Sequence, residues 1–379
     1  MSEPVHIAAI DAGSNALRLA VARAYSALDI EPLVNERYSL RLGESVFLRH
    51  RFSDELFKKG VKAFRHFREI MEEFAVTRYR AVATSASREA RNRDAFIRHI
   101  RQKTGITLEV ISSAEESRLG RAAVLAALGP ESSLRCIADL GGGSLELSIL
   151  RDHNVEQSVQ LGVGTVRLMT TLNIPGVIRP MQAEQVRRYV RALLESRLPS
   201  RPNLGGQIAV ALGGNAETLA NIAPGPRHHG LPTLELSLLR ERLPDLLERD
   251  VRERMKSYGI RRDRADVIGI AAITFVTLGR YLNIRNFSIP SVGLREGLVQ
   301  EIAREAFSRT EPHRYDAAAR QLLVGTRSFA RRLQKDQTHA EHVRELSILL
   351  FDQLQPVHHL RRSRECCSKP ERFCTTLDI

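Results

Sequence analysis

The stretch Asp139-Leu-Gly-Gly-Gly-Ser144-Leu-Glu146 brings two carboxylates, a hydroxyl and three consecutive glycines into one short segment. Cys136-Ile-Ala before it and Leu147-Ser-Ile-Leu after it are patterned like buried strands, so a tight strand-turn-strand is expected. Glycines carry no Cβ, and their N–H groups can close on an anion that side chains would hold at a distance. Carboxylates beside a phosphate cradle would repel the substrate unless a hard cation lay between them. Asp139 and Glu146 therefore imply Mg²⁺, or a similar ion, shared with phosphate oxygens. An ordinary hairpin would need neither the Asp at its entry nor the Glu at its exit.

The pattern has an echo near the start of the chain, where Ile7-Ala-Ala-Ile10 leads into Asp11-Ala-Gly13-Ser14-Asn15-Ala-Leu-Arg18-Leu19. Laid on Asp139 to Leu147, it matches at the Asp, the first Gly and the Leu after the charged residue. Two such units a domain's length apart suggest a duplicated fold whose lobes each offer one phosphate turn to a shared cleft. That arrangement is similar to the actin, heat-shock ATPase and sugar-kinase superfamily. The expected fold class is α/β, an actin-like, ribonuclease H-like duplication in two lobes. A third turn follows the apolar run Gln207–Leu212, where Gly213-Gly214-Asn215 is another candidate phosphate or nucleotide contact.

Two helix starts add candidates. After a short strand, Thr84-Ser85-Ala-Ser-Arg88 places hydroxyls and an Arg at a helix N-terminus, which suits an anion. A plain N-cap needs only one of these residues and not the Arg. After the strand Leu108–Ser112, Glu115 and Glu116 fall in the first turn of an Ala- and Leu-rich helix. Acidic residues there complement the helix dipole, so residue type alone leaves a further role for Glu116 open.

With 379 residues, 43% hydrophobic and 27% charged, the chain has room for two domains and a small appendage, expected at 1–130, 131–306 and 307–379. The net charge of +13 favours polyanionic partners. Nucleic acid is the first rival. The absence of Trp, aromatics at only 5% and the lack of a helix-turn-helix, zinc-finger or aromatic RNA-binding signature argue against it. No basic and apolar leader opens the sequence, and no apolar run reaches the ~18 to 20 residues that span a bilayer, so a cytoplasmic location and no membrane partner are expected. Cys136, Cys366, Cys367 and Cys374 do not form a spaced disulfide framework, and reduced thiols are the default.

Periodicity predicts a strand at Tyr38–Leu42, an amphipathic helix at Ser53–Phe74 and a single helix from Leu236 to Tyr258. Pro224–Pro232 reads as a loop whose His228-His229 pair is solvent-exposed rather than metal-binding. Beyond Phe307, helices are expected at Tyr315–Lys335 and His339–Leu360, with an unstructured end.

These motifs together resemble the exopolyphosphatase and guanosine pentaphosphate phosphohydrolase family, from Ile7 to about Ile302. The carriers are Asp11-Ala-Gly-Ser-Asn15, Ala83-Thr-Ser-Ala-Ser-Arg88-Glu-Ala, Val110-Ile-Ser-Ser-Ala-Glu115-Glu116-Ser-Arg118, Asp139 to Leu147, Asp263-Arg264-Ala265-Asp266 and Leu294-Arg295-Glu296-Gly297. The resemblance implies that Glu116 is the base that deprotonates water, with Arg88 beside it as a catalytic donor. Asp11, Asp139 and Glu146 become the metal-managing carboxylates, for Mg²⁺ or Mn²⁺. Ser14, Asn15, Gly141, Gly142, Gly143, Ser144, Gly213, Gly214 and Asn215 become phosphate contacts. The activity implied is release of orthophosphate from the end of inorganic polyphosphate, with the 5′-phosphate of guanosine pentaphosphate as the alternative substrate. A non-catalytic sensor of either anion and a sugar or acetate kinase are the rival readings, and a homodimer stays open. Three departures limit the transfer. Asn215 stands where Thr or Ser is usual, Ser113 where Gly is usual, and His339-Ala-Glu-His342 is not followed by the His-Asp pair of the metal-phosphohydrolase-like domain found in long members.

Overall fold

The computed structural model describes residues 4–129, 133–174, 176–228 and 230–307. Residues 4–153 and 158–307 make one compact unit. The helices expected at 315–335 and 339–360 lie outside the described residues.

In chain order the first half contains β1 (Val5–Ala12), β2 (Leu17–Ala24), β3 (Ile30–Tyr38), α1 (Leu42–Arg49) and α2 (Asp54–Glu73). It continues with β4 (Arg78–Ala83), α3 (Ser85–Glu89), α4 (Arg93–Thr104), β5 (Leu108–Val110) and α5 (Ser113–Leu128). The second half opens with β6 (Leu134–Leu140), β7 (Leu145–Arg151), β8 (Asn154–Leu161), α6 (Thr165–Thr171), α7 (Pro180–Arg197), β9 (Ile208–Leu212) and α8 (Gly213–Ile222). It closes with β10 (Pro224–His228), β11 (Leu231–Glu235), α9 (Leu236–Glu248), α10 (Val251–Tyr258), α11 (Arg262–Ala265), α12 (Ile268–Leu282), β12 (Asn286–Ser288) and α13 (Leu294–Phe307).

The duplication is visible in the sheets. One has the order β3-β2-β1-β4-β5 and the other β10-β11-β12-β9-β6-β7-β8. Read from β8, the second sheet runs β8-β7-β6-β9-β12, the same order as the first, with the β10–β11 hairpin added at its edge. Both central hairpins are antiparallel, and each central strand pairs in parallel with its outer neighbour. Their registers coincide as well: Asp11 faces Arg18 across the first hairpin, and Asp139 faces Glu146 across the second. Each turn closes with the same bond, Gly13 N–H to Ala16 O at 3.2 Å and Gly141 N–H to Ser144 O at 3.0 Å.

Local sequence accounts for most of the elements. In α2, Ser53 caps the N-terminus by accepting from Leu56 N–H, Asp54 and Glu55 favour the dipole, and Phe64, Phe67 and Met71 recur on the buried face. Every residue of α12 except Arg280 is buried, and the Thr274 and Thr277 hydroxyls donate back to Ile270 O and Ile273 O, so neither is left unpaired in an apolar core. The closing helix α13 returns to the first sheet, where Leu298, Ile302 and Ala303 pack with Ile7, Ala9 and Val82. Among the described residues no helix is long and apolar enough to cross a membrane.

Four local expectations are corrected. Tyr38–Leu42 is not a strand: Tyr38 ends β3 and Leu42 begins α1, because the alternation of Tyr38, Leu40 and Leu42 gives way to a helical spacing that buries Leu42, Val46 and Phe47. The stretch 84–92, expected to lead into a helix running to about Thr104, itself holds the short helix α3, and a break at 90–92 separates it from α4. Pro224–His228 is an edge strand, where prolines are tolerated because one side of the strand needs no ladder bonds. The single helix over 236–258 breaks at Arg249, because Asp250 and Glu253 form a reciprocal capping box at 2.8 and 2.7 Å that starts α10.

One buried cation holds this last region together. Arg254 is fully buried and donates to Leu246 O (2.8 Å), Leu247 O (3.4 Å) and Ala265 O (3.1 Å), tying α9 and α10 to α11. Arg254→Met takes the donor from Leu246 O and Ala265 O, while Leu247 O keeps the Ile178 N–H at 2.9 Å, a cost on the order of 2 kcal/mol. The checking measurement is urea unfolding, with a lower midpoint expected at unchanged m.

Candidate active site

A cavity of about 430 Å³ opens where the glycine turns of the two sheets meet. Asp11, Ser14 and Asn15 line it from the first turn, Asp139, Gly141, Gly142, Gly143 and Ser144 from the second, and Gly213, Gly214 and Asn215 from the third. Glu116, at the start of α5, reaches the same space. The turns touch: a Cβ added to Gly142 would lie 3.1 Å from Ser14 Cβ and 3.3 Å from Asn15 N, so any side chain there would push the two turns apart.

Two of the expected residues stand behind the wall. Arg88 donates to Glu116 Oε2 at 2.8 Å and to Ile111 O at 3.0 Å, so it anchors the carboxylate. Its Nη2 is buried with no partner among the described residues. Glu146 is buried beneath the turn, accepting from Ser144 Oγ at 2.5 Å and Gln160 Nε2 at 3.3 Å. Asn215 is spent on structure: its amide donates to Leu140 O at 3.1 Å, and its carbonyl accepts from Arg264.

The second turn is held from behind by the N-terminus of α6. Thr165 N–H donates to Gly141 O (3.1 Å), Arg167 N–H to Gly142 O (2.9 Å) and Arg167 Nε–H to Gly143 O (2.6 Å). A trans peptide is planar, so fixing each carbonyl toward α6 turns the next N–H the opposite way. The N–H groups of Gly142, Gly143 and Ser144 are thereby presented together, and among the described residues none of them meets an acceptor. Three convergent free N–H groups form an anion nest. Ser85 Oγ and Asn15 Oδ1 are further buried polar atoms left without partners in the same wall.

The carboxylates repel one another in a dry setting. Burial pushes Glu116 up to about 7, against the Arg88 guanidinium, with Asp139 and Asp11 adding to the rise. Burial likewise lifts Asp139 to about 6, opposed by Arg18 and reinforced by Asp11. Asp11 is raised by burial despite Arg18, and Glu146 well above the carboxylate range by burial and by Glu116 and Asp139. Such a cluster stays ionised when a cation joins it. Among the described residues no three His, Cys, Asp or Glu side chains converge to cage a metal by themselves.

Sequence reasoning missed the arginine wall. Arg18, Arg37, Arg261, Arg264 and Arg295 line the cavity. Arg18 sits 3.8 Å from Asp11, which the hairpin register would have placed. Arg37 pairs with Asp263 and Arg41 with Asp266, contacts between residues more than 220 positions apart that no local pattern encodes.

Comparison with known proteins fits this geometry. Residues 20–306 match the family model described as the Ppx/GppA phosphatase family. The chain belongs to the Ppx/GppA phosphatase family. Within it, the chain is 32% identical over 296 residues to Exopolyphosphatase 2 of Mycobacterium tuberculosis, covering 74% of this chain and 91% of that protein. It is 24% identical over 357 residues to the guanosine-5′-triphosphate,3′-diphosphate pyrophosphatase of Aeromonas hydrophila, covering 94% of this chain and 69% of that one. Its fold is that of an exopolyphosphatase from Cytophaga hutchinsonii, with TM-score 0.70, 23% identity and coverage of 79% and 98% of the two chains. The Ppx/GppA member from Aquifex aeolicus aligns at TM-score 0.64 and 23% identity, covering 81% and 99%.

Proposed function

We propose that this phosphoanhydride hydrolase removes the terminal phosphate of inorganic polyphosphate and releases orthophosphate. The observation that carries this reading is the placement of Glu116, a carboxylate raised to about 7, in the same small cavity as the N–H nest of Gly142, Gly143 and Ser144. A base with that affinity for a proton is matched to neutral pH. The terminal phosphate sits in the nest. Glu116 takes a proton from water as its oxygen bonds to phosphorus, the bridging P–O bond breaks, and the shortened chain leaves with the electron pair. The nest amides and the arginine wall stabilise charge on the non-bridging oxygens.

Asp11 and Asp139, with Glu146 behind them, would hold Mg²⁺ or Mn²⁺. The donor set fits such an ion, because one or two carboxylates completed by substrate oxygens and water is the usual Mg²⁺ site, and carboxylates raised by burial are relieved by a cation. Bound there, the ion would supply Lewis-acid polarisation of phosphate oxygens.

Removal of the 5′-phosphate of guanosine pentaphosphate is the second reading, favoured by the match to the Aeromonas enzyme over 94% of this chain. The setting proposed is the cytoplasm, with a homodimer as the assembly to test by light scattering. The lobes proposed remain 1–130 and 131–306, with 307–379 as an appendage dispensable for chemistry. Orthophosphate release is measured from long polyphosphate and from guanosine pentaphosphate, with and without a chelator. Faster release per active site from polyphosphate, abolished by chelation and restored by Mg²⁺, is expected. Release from the nucleotide alone would transfer the assignment to the second reading, and full activity in excess chelator would remove the metal.

A further inference from the structure

The side chain of Arg167 makes three contacts of different kinds at the back of the glycine turn. Its Nε–H donates to Gly143 O at 2.6 Å. Its two terminal nitrogens grip both oxygens of Glu89, Nη1 to Oε2 at 3.0 Å and Nη2 to Oε1. Its guanidinium carbon lies 4.1 Å from the centre of the Phe47 ring. Backbone from α6 already fixes the carbonyls of Gly141 and Gly142, but that of Gly143, which sets the direction of the Ser144 N–H, is held by this side chain. Glu89 follows Arg88 directly, and Arg88 grips Glu116. One short helix, α3, therefore carries both the residue that anchors the carboxylate and the residue that anchors Arg167.

We propose that Arg167 is a positioning residue that sets the donor geometry of the phosphate nest, locked by Glu89 and Phe47 so that the turn of the second sheet moves together with the Glu116 side of the cleft. It touches no substrate. The ligand whose grip it sets is a terminal phosphoryl group or free orthophosphate. Arg suits the task because its planar fork meets a carboxylate with two donors while a third points elsewhere, which a lysine ammonium on a flexible stem cannot reproduce. Phe47 restricts the fork to one plane and covers Gly143, where an added Cβ would come within 2.8 Å of Phe47 Cζ.

This inference deepens the hydrolase reading and rests on it for the catalytic readout, while binding of inorganic phosphate tests it separately. Full-length Arg167→Met, Arg167→Lys and Glu89→Gln, with the double variant Arg167→Met/Glu89→Gln, are compared with wild type for orthophosphate affinity by calorimetry, for kcat/KM on polyphosphate and for thermal unfolding. Arg167→Met is expected to weaken orthophosphate binding and kcat/KM together by about 30-fold or more, with the midpoint of the acid limb of the pH–rate profile unchanged because Arg88 and Glu116 are intact. Glu89→Gln alone should lose about 5- to 10-fold, and should lose nothing further once Arg167 is Met. Arg167→Lys should stay folded and keep most of the defect, which answers the case in which Met does not fold. Folded variants with orthophosphate affinity within threefold of wild type overturn the proposal, as does full additivity of the two substitutions. Wild-type protein that binds orthophosphate but releases none from polyphosphate would sink the hydrolase reading alone, and the affinity comparison would still decide the role of Arg167.

Discussion

Glu116→Gln is expected to lower turnover by on the order of 10² or more and to leave orthophosphate affinity within a few-fold, because the amide keeps the shape of the carboxylate and can accept no proton. Arg88 still finds an oxygen to donate to, so the α3–α5 contact survives. Steady-state release from polyphosphate, paired with binding of orthophosphate, separates the two effects. Turnover within a factor of a few of wild type removes Glu116 from the mechanism.

The same variant has a signature in stability. The folded pKa of Glu116 is raised from the ordinary 4.5 to about 7, so between those values the folded chain holds a proton that the unfolded chain has released. Stability of the metal-free wild type from this group therefore falls as pH rises from about 4.5 to 7. The variant lacks that penalty, and its melting temperature relative to wild type should climb over the same window. A difference that stays flat from pH 5 to pH 8 contradicts the raised pKa. In activity the sign is the reverse: the base works only when ionised, so kcat/KM rises with pH through an acid limb near 7. Because a cation favours the ionised carboxylates, saturating metal should shift that limb to lower pH.

The glycine turns and the place of Glu116 beside them were legible in the sequence because their information is local. Asp139, three glycines and Glu146 lie within eight positions, and Glu116 stands in the first turn of α5, six residues past the end of β5. The duplication was legible for the same reason, through two short segments with one spacing. What stayed hidden comes from distance in sequence. The Arg37–Asp263 and Arg264–Asn215 pairs join residues 226 and 49 positions apart, and in isolation each arginine looks like solvated surface. The roles of Arg88 and Glu146 were legible only as residue types: the fold sets one behind Glu116 and the other under Ser144, where they orient groups that face the cavity. The β10–β11 hairpin was hidden by its prolines, which an interior strand would exclude and an edge strand tolerates.

Gly164→Ala is expected to lose 10²-fold or more in kcat/KM on polyphosphate. Nothing about the backbone of Gly164 demands glycine, since its φ of −58° and ψ of 149° suit any residue. The demand comes from across the chain: a Cβ there would fall on the backbone of Gly143 and on Ser144 N, which have no side-chain freedom with which to yield. Relief requires the turn and the start of α6 to separate, which breaks the bonds from Thr165 and Arg167 to the carbonyls of Gly141, Gly142 and Gly143. Displacement of catalytic donors by about 1 Å costs on the order of 10² in rate, and overpacking of this kind also costs about 1–3 kcal/mol of stability. Gly162→Ala is the matched control, two residues away, where a Cβ would meet only the Arg167 side chain at 3.8 Å and activity should stay within threefold. Orthophosphate affinity, measured by calorimetry on both variants, should fall with activity in Gly164→Ala and hold in Gly162→Ala. A folded Gly164→Ala protein with wild-type turnover and phosphate affinity would show that the nest tolerates displacement, and that Gly142, Gly143 and Ser144 do not hold the reacting phosphate.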